Sequence, residues 1–282
     1  MGTHMRKLTL AALCAAAMAC GGGDEAADPA SRKFTYGAAS SPTAEEQAAA
    51  ATAEGTTADA IALRTDTSAT ADARASSVAG LPDTMAASAW GSASVAAATG
   101  LPGAGLERTL SILGGPSAAA LTGFDDPACV SVSVGSIAYD GCTITMGTDA
   151  ITVDGTVTRA GSTVTWSLTS TLTSAGDGYS MTVVVHPTGS LTFGAGTVAG
   201  RARSDTSATV RSGLTSMHLA YTTLADLDLE HDGNGCITGG TLELRRVWTD
   251  RVPGMPSDGP YADAGLLFTW QGCGVVLVSR AI

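Results

Sequence analysis

The sequence predicts an all-β fold: an antiparallel meander sheet of about ten strands, curled into a barrel, half-barrel or sandwich, with one or two short helices N-terminal to it. Three observations lead there. From about residue 128 apolar residues recur at every second position, the period of a strand with one packed and one wet face. Turns rich in Gly, Asp and Ser follow at short intervals and leave no room for crossover helices, so neighbouring strands must run antiparallel. Ten of the thirteen aromatic residues lie after residue 120, which places the main core in the C-terminal half.

The chain divides into a leader (1–19), an anchor and tether (20–80), a short helical segment (81–122) and the β domain (123–282). Between residues 21 and 80 only Phe34 and Tyr36 are aromatic, and Ala, Ser, Thr and Gly dominate. Such a stretch promises too little apolar area to offset its conformational entropy, so a largely mobile tether is expected. Thr43-Ala44-Glu45-Glu46 is a capping-box pattern and predicts a helix near 44–53, without an apolar stripe to dock it. Pro82-Asp83 can open a second helix that carries Met85, Ala89 and Trp90. Leu106, Leu110 and Leu113 recur at helical spacing before the stop signal Gly114-Gly115-Pro116.

The β domain opens with Val130, Val132 and Val134 alternating with Ser131, Ser133 and Gly135. Ile151 and Val153 continue the pattern, then Val164, Trp166 and Leu168. The runs GYSMTVVVH, GSLTFGAGTVAGRAR, MHLAYTTLADLDLEH, GTLELRRVW, GLLFTWQ and GVVLVSR complete the set. A hairpin is expected at Asp232-Gly233-Asn234-Gly235, where Asn-Gly is a strong short-range turn signal.

The N-terminus speaks to location. Arg6 and Lys7 precede an uncharged run, Leu8 to Met18, which is too short for a membrane span and fits the apolar region of a secretory signal. It ends in Ala17-Met18-Ala19-Cys20, which resembles the lipobox of bacterial lipoprotein precursors. The resemblance implies cleavage before Cys20 and acylation of that residue, and Gly21 after it favours the outer membrane. Ala17 stands where that family more often has Leu. The alternative is an ordinary signal cut after Ala19, with Cys20 incidental. Cys14 follows Leu13, which is not small, and matches poorly. Met1 to His4 reads as a cloning remnant. The resemblance covers the leader alone, and no family is recognised for the folded domain.

The formal charge is −11, and −13 without residues 1–19, because Arg6 and Lys7 go and no acid does. An acidic, Gly/Ala/Ser/Thr-rich chain argues against nucleic acid, whose phosphates require a basic face. Attachment to a membrane would come from acyl chains on Cys20, not from basic residues. Beyond Cys20 four cysteines remain: Cys129, Cys142, Cys236 and Cys273. An even number in an exported chain reads as two disulfides, and of three pairings proximity favours Cys129–Cys142 and Cys236–Cys273. Four free buried thiols are the alternative. No CxxC occurs.

For chemistry, residues 225–240 have the outline of a calcium loop. Asp226, Asp228, Glu230 and Asp232 alternate, but a loop starting at Asp228 has Gly239 where the closing Glu belongs. The strand reading explains the acids better: period two puts Asp226, Asp228 and Glu230 on the wet face opposite Leu227 and Leu229. They remain weak metal candidates, and no cofactor is expected. Nucleophile-elbow, zinc-protease and phosphate-loop motifs are absent. His186, His218 and His231 have no neighbouring nucleophile in sequence. Trp166, Trp248, Trp270 and Tyr221 fit core packing better than a ligand site. The expectation is a non-catalytic binding or interaction module of the cell envelope, with a protein or glycan partner. A carrier of an apolar ligand or lipid inside a curved sheet is the alternative, and hydrolysis is the least supported reading.

Overall fold

A computed structural model describes residues 28–63, 71–90, 124–176, 178–251 and 262–282. The leader, Cys20 and the leucines at 106, 110 and 113 lie outside the described residues. The chain forms two units, Met1–Arg32 and Lys33–Ile282. In the first, a 3-10 turn at Pro29–Ser31 is capped by Asp28, whose carboxylate accepts the Ala30 N–H at 3.0 Å.

The second unit is built on one sheet of ten strands in sequence order, every pair antiparallel. They are β1 (Val130–Ser133), β2 (Ser136–Met146), β3 (Asp149–Ala160), β4 (Thr163–Gly176), β5 (Tyr179–Phe193), β6 (Thr197–Ser212), β7 (Thr215–His231), β8 (Ile237–Asp250), β9 (Ala264–Gly272) and β10 (Val275–Arg280). The first and last strands do not pair with one another. The sheet is therefore open, and neither a closed barrel nor a two-sheet sandwich forms.

Alternation sets the two faces. Ile151, Val153, Val157, Val164, Trp166, Leu168, Val183, Leu191, Phe193, Leu242, Leu244, Phe268 and Trp270 are all buried on the inner face. The outer face is dominated by Thr and Ser, which bond across strands, as in Thr158–Thr165 at 2.5 Å and Thr163–Thr192 at 3.3 Å. Gly189 sits on the inner face because a Cβ there would lie 2.2 Å from Cζ2 of the Trp166 ring. A large indole thus fills the slot that a missing side chain leaves.

Among the described residues three helices belong to this unit: α1 (Ala44–Leu63), α2 (Ala71–Ala79) and α3 (Leu81–Trp90). The capping box starts α1 as expected: Thr43 N–H donates to Glu46 Oε2 at 2.7 Å, and Glu46 N–H to Thr43 Oγ1 at 3.3 Å. The helix then runs ten residues past the expected end, and residues 44–63 are packed where a mobile tether was expected. Ala49, Ala50, Ala53, Ala60 and Leu63 are buried in the same core as the inner-face residues. Alanine gives little hydrophobic signal in sequence, yet its small side chain lets a helix lie close to a sheet, where burial offsets the entropy cost.

Polar contacts fix α1 along its length of about 30 Å. Arg280 donates to both carboxylate oxygens of Glu46, at 2.8 and 2.6 Å. Trp270 Nε1 donates to Glu54 at 3.1 Å, and Arg159 Nη1 donates to the carbonyl of Leu63 at 3.0 Å, capping the C-terminus. Upstream, residues 35–40 run beside β10. Gly37 N–H donates to the Arg280 carbonyl at 2.9 Å, and Ser40 and Val278 exchange backbone bonds at 3.0 and 2.9 Å.

A covered polar row as the candidate functional site

One stretch of the inner face breaks the apolar pattern. The register of β6, β7 and β8 aligns Ser204 with Thr223 and Thr223 with Arg246. All three are buried, with residue exposures of 0 %, 0 % and 3 %. The next row aligns Thr206 with Tyr221 and Tyr221 with Trp248. The Tyr221 and Trp248 rings lie 5.1 Å apart, centroid to centroid.

Helix α3 lies over this row and contacts β6, β7 and β8. Ser204 Oγ donates to Asp83 Oδ2 at 2.5 Å, and the Arg246 guanidinium sits 4.9 Å from the centroid of Trp90. Seven helical residues rise about 10 Å, and two strand spacings cover about the same distance. Asp83 and Trp90 therefore meet the two ends of the row. Pro82 opens the helix with its fixed φ, and Asp83 in the first turn suits the positive end of the helix dipole.

The row holds polar atoms that the described residues leave unsatisfied. Asp83 Oδ1, Thr223 Oγ1 and Arg246 Nε are buried with no hydrogen-bond partner among the described residues. Burial pushes the Asp83 carboxyl up to about 6, against the pull of the Ser204 hydroxyl and with a further push from Asp205. Burial likewise takes Tyr221 up to about 12 and draws the Arg246 guanidinium down from its ordinary value. Among the described residues Arg246 makes no ion pair. By contrast Arg245, one residue earlier and on the outer face, bonds Asp226. Asp263 acts on Arg246 only from a distance, and a guanidinium buried beside hydroxyls with no anion bonded to it among the described residues is costly by itself and well suited to bind one.

As chemistry, Ser204 with Asp83 has the form of a nucleophile and a base, but the hydroxyl is fully buried beneath α3. The histidines stand elsewhere. His186 bonds Thr169 at 3.0 Å, and His218 bonds Asp250 at 2.8 Å in an exposed pair. His231 Nδ1 accepts the Gly233 N–H at 3.0 Å in the turn after β7. No histidine described joins a carboxylate to a nucleophile.

The metal candidates also part company. Asp226 bonds both Arg201 and Arg245. Asp228 and Glu230 are exposed strand residues on the wet face, as their alternation predicts. Asp232 accepts the N–H groups of Asn234 and Cys236 at 2.8 and 3.1 Å, and these bonds, the first above all, hold its carboxyl below the ordinary value. Asp232 also lies near Cys236 and Cys273, but those sulfurs are joined to each other and offer no thiolate. The expected pairing Cys129–Cys142 forms as well. The bend at 232–236 is the hairpin turn, with Gly233 and Gly235 both at positive φ. On the outer face a groove of about 630 Å3 over β5 and β6 is lined by Thr188, Ser190, Thr192, Arg201, Arg203 and Asp226. Its arginines are already held, Arg201 by Asp226 and Arg203 by Asp205.

Trp166, Trp248 and Trp270 are buried, as core packing predicts, and Tyr221 packs against that core. Sequence reading missed Asp83, Ser204, Thr223 and Arg246 as a group. One signal was present: Arg246 keeps phase with Leu242, Leu244 and Trp248, so a charge falls on the packed side. No protein-family model, curated protein or solved structure matches the chain.

Proposed function

We propose that the chain is an exported lipoprotein, acylated at Cys20 and held in the bacterial envelope at the outer membrane, whose β domain binds a ligand and does not catalyse. The lipobox-like Ala17-Met18-Ala19-Cys20 supports the anchor. The observation that carries the binding reading is Arg246: a buried cation, free of any ion pair among the described residues, at the end of a row of hydroxyls. Core residues placed for stability alone tend to satisfy such groups, so an unsatisfied row under a single helix suits a ligand that completes it. The apolar-carrier reading uses the same face. It is the weaker of the two, because a purely apolar ligand would leave the buried Arg246 guanidinium without an anion.

Mass spectrometry of the protein extracted from membranes tests both halves. Intact mass should show acyl groups on an N-terminal Cys20, and an unmodified mature terminus would remove the anchor. Native spectra should show a bound small molecule on the wild type and none on R246L. A clean wild-type spectrum would count against the binding reading.

A further inference from the structure

Resting on that binding reading, we infer that the Ser204–Thr223–Arg246 row takes the carboxylate head of an amphiphilic monoanion, and that α3 lifts from the sheet to admit it. The row already holds a carboxylate at one end. Asp83 accepts the Ser204 hydroxyl at 2.5 Å, so the hydroxyl is already placed to donate to a carboxylate. At the other end Arg246 is covered by the Trp90 ring, a neutral partner, where a carboxylate would form charge-assisted bonds. Asp83 and Trp90 belong to one helix, so lifting α3 vacates both ends together.

Charge sets the valence of the ligand. Arg246 supplies one positive charge to the row; Asp263, which acts on it from a distance, is paired with Arg251 at 3.1 Å, Asp83 leaves with α3, and the inner-face neighbours Ser204, Thr206, Tyr221 and Thr223 supply no charge. One negative charge balances the site, whereas a phosphate dianion would leave a net negative charge buried. Burial sets the rest of the ligand. The α3 residues Leu81, Pro82, Met85 and Ala86 are buried, and a departing helix uncovers the apolar surface they pack against. A ligand that replaces the helix must cover that surface, so it carries an apolar body behind its head.

The test titrates octanoate and octanol into the full chain in lipid nanodiscs, with empty nanodiscs as the blank, and follows tryptophan fluorescence. Octanoate should bind saturably, and octanol about tenfold more weakly for want of the charged head. R246L should abolish that preference, and R246K, which keeps the charge, should retain part of it. Circular dichroism checks that each variant folds. Equal affinity for acid and alcohol, or a preference that survives R246L, overturns the ligand class. If octanoate fails to bind while membrane-extracted protein carries an Arg246-dependent adduct, the ligand class falls and the binding reading stands. If neither is seen, both fall.

Discussion

At the scale of single residues, folding alters the chemistry of Asp83 close to neutral pH. Its folded carboxyl titrates at about 6, above the ordinary value of 3.8, because burial disfavours the charged form. Between those two values the folded state binds more protons than the unfolded state, so stability falls as pH rises through that window. The full loss is on the order of 3 kcal/mol, complete above the folded value. Asn keeps an acceptor for Ser204 without the charge. D83N should therefore flatten the fall in urea stability between pH 4 and pH 7 and exceed the wild type at pH 8; an unchanged slope would show that another group carries it. Gly189 makes a second residue-scale case. A Cβ there meets Trp166 at 2.2 Å and the Arg201 carbonyl at 2.7 Å, so G189A should cost about 1–3 kcal/mol by thermal or urea denaturation. Little of this was legible in sequence. Ser and Thr occur on both faces of this sheet, so Ser204 and Thr223 do not stand out, and Asp83 meets Ser204 across 121 residues.

At the scale of elements, strands and helices differ in how openly the sequence announces them. The strands were legible because Val, Leu, Ile and Trp alternate with Thr and Ser, and each side chain's face follows from its parity. Helix α1 was half legible. Its start is written in Thr43 and Glu46, but its buried face is made of Ala49, Ala53 and Ala60, whose spacing carries almost no hydrophobic contrast. The partners that hold it, Trp270, Arg280 and Arg159, lie far along the chain. Substitution distinguishes a docked helix from a tether. Ala53 is buried and Ala48 exposed on the same helix. A53L should lose about 1–3 kcal/mol through overpacking, whereas A48L should change stability by less than about 0.5 kcal/mol. Equal, negligible effects in paired urea melts would return residues 44–63 to the tether.

At the scale of the whole molecule, an open meander must protect two edges without closing on itself. A bare edge strand is a template for pairing with other chains. The chain answers with its own termini and its cysteines. Residues 35–40 run along β10, and Tyr36 donates to Glu243 on the outer face at 2.6 Å; burial first, and then this bond, holds its phenol above the ordinary range. At the other edge Cys129, just before the short β1, is joined to Cys142 of β2. Cys236 and Cys273 join the β7–β8 turn to the β9–β10 turn, tying the last hairpin to the one before it. The pairing was legible because four cysteines in two close couples leave few choices; that the bonds guard edges was not, since strand order is invisible in a list of strands. Loops of 13 and 37 residues give about 3 and about 4 kcal/mol in the chain-entropy model. The two bonds should also differ in reach. Removing Cys129 and Cys142 frees four residues of edge strand, so amide exchange should rise mainly across Val130–Ser133 while the core stays protected. Removing Cys236 and Cys273 loosens a hairpin that carries Phe268 and Trp270 into the core, so protection should fall in β8 and α1 as well. Exchange measured on both double alanine variants decides the matter: matching, global losses of protection would mean that the edges are not separate devices, and that the sheet stands or falls as one unit.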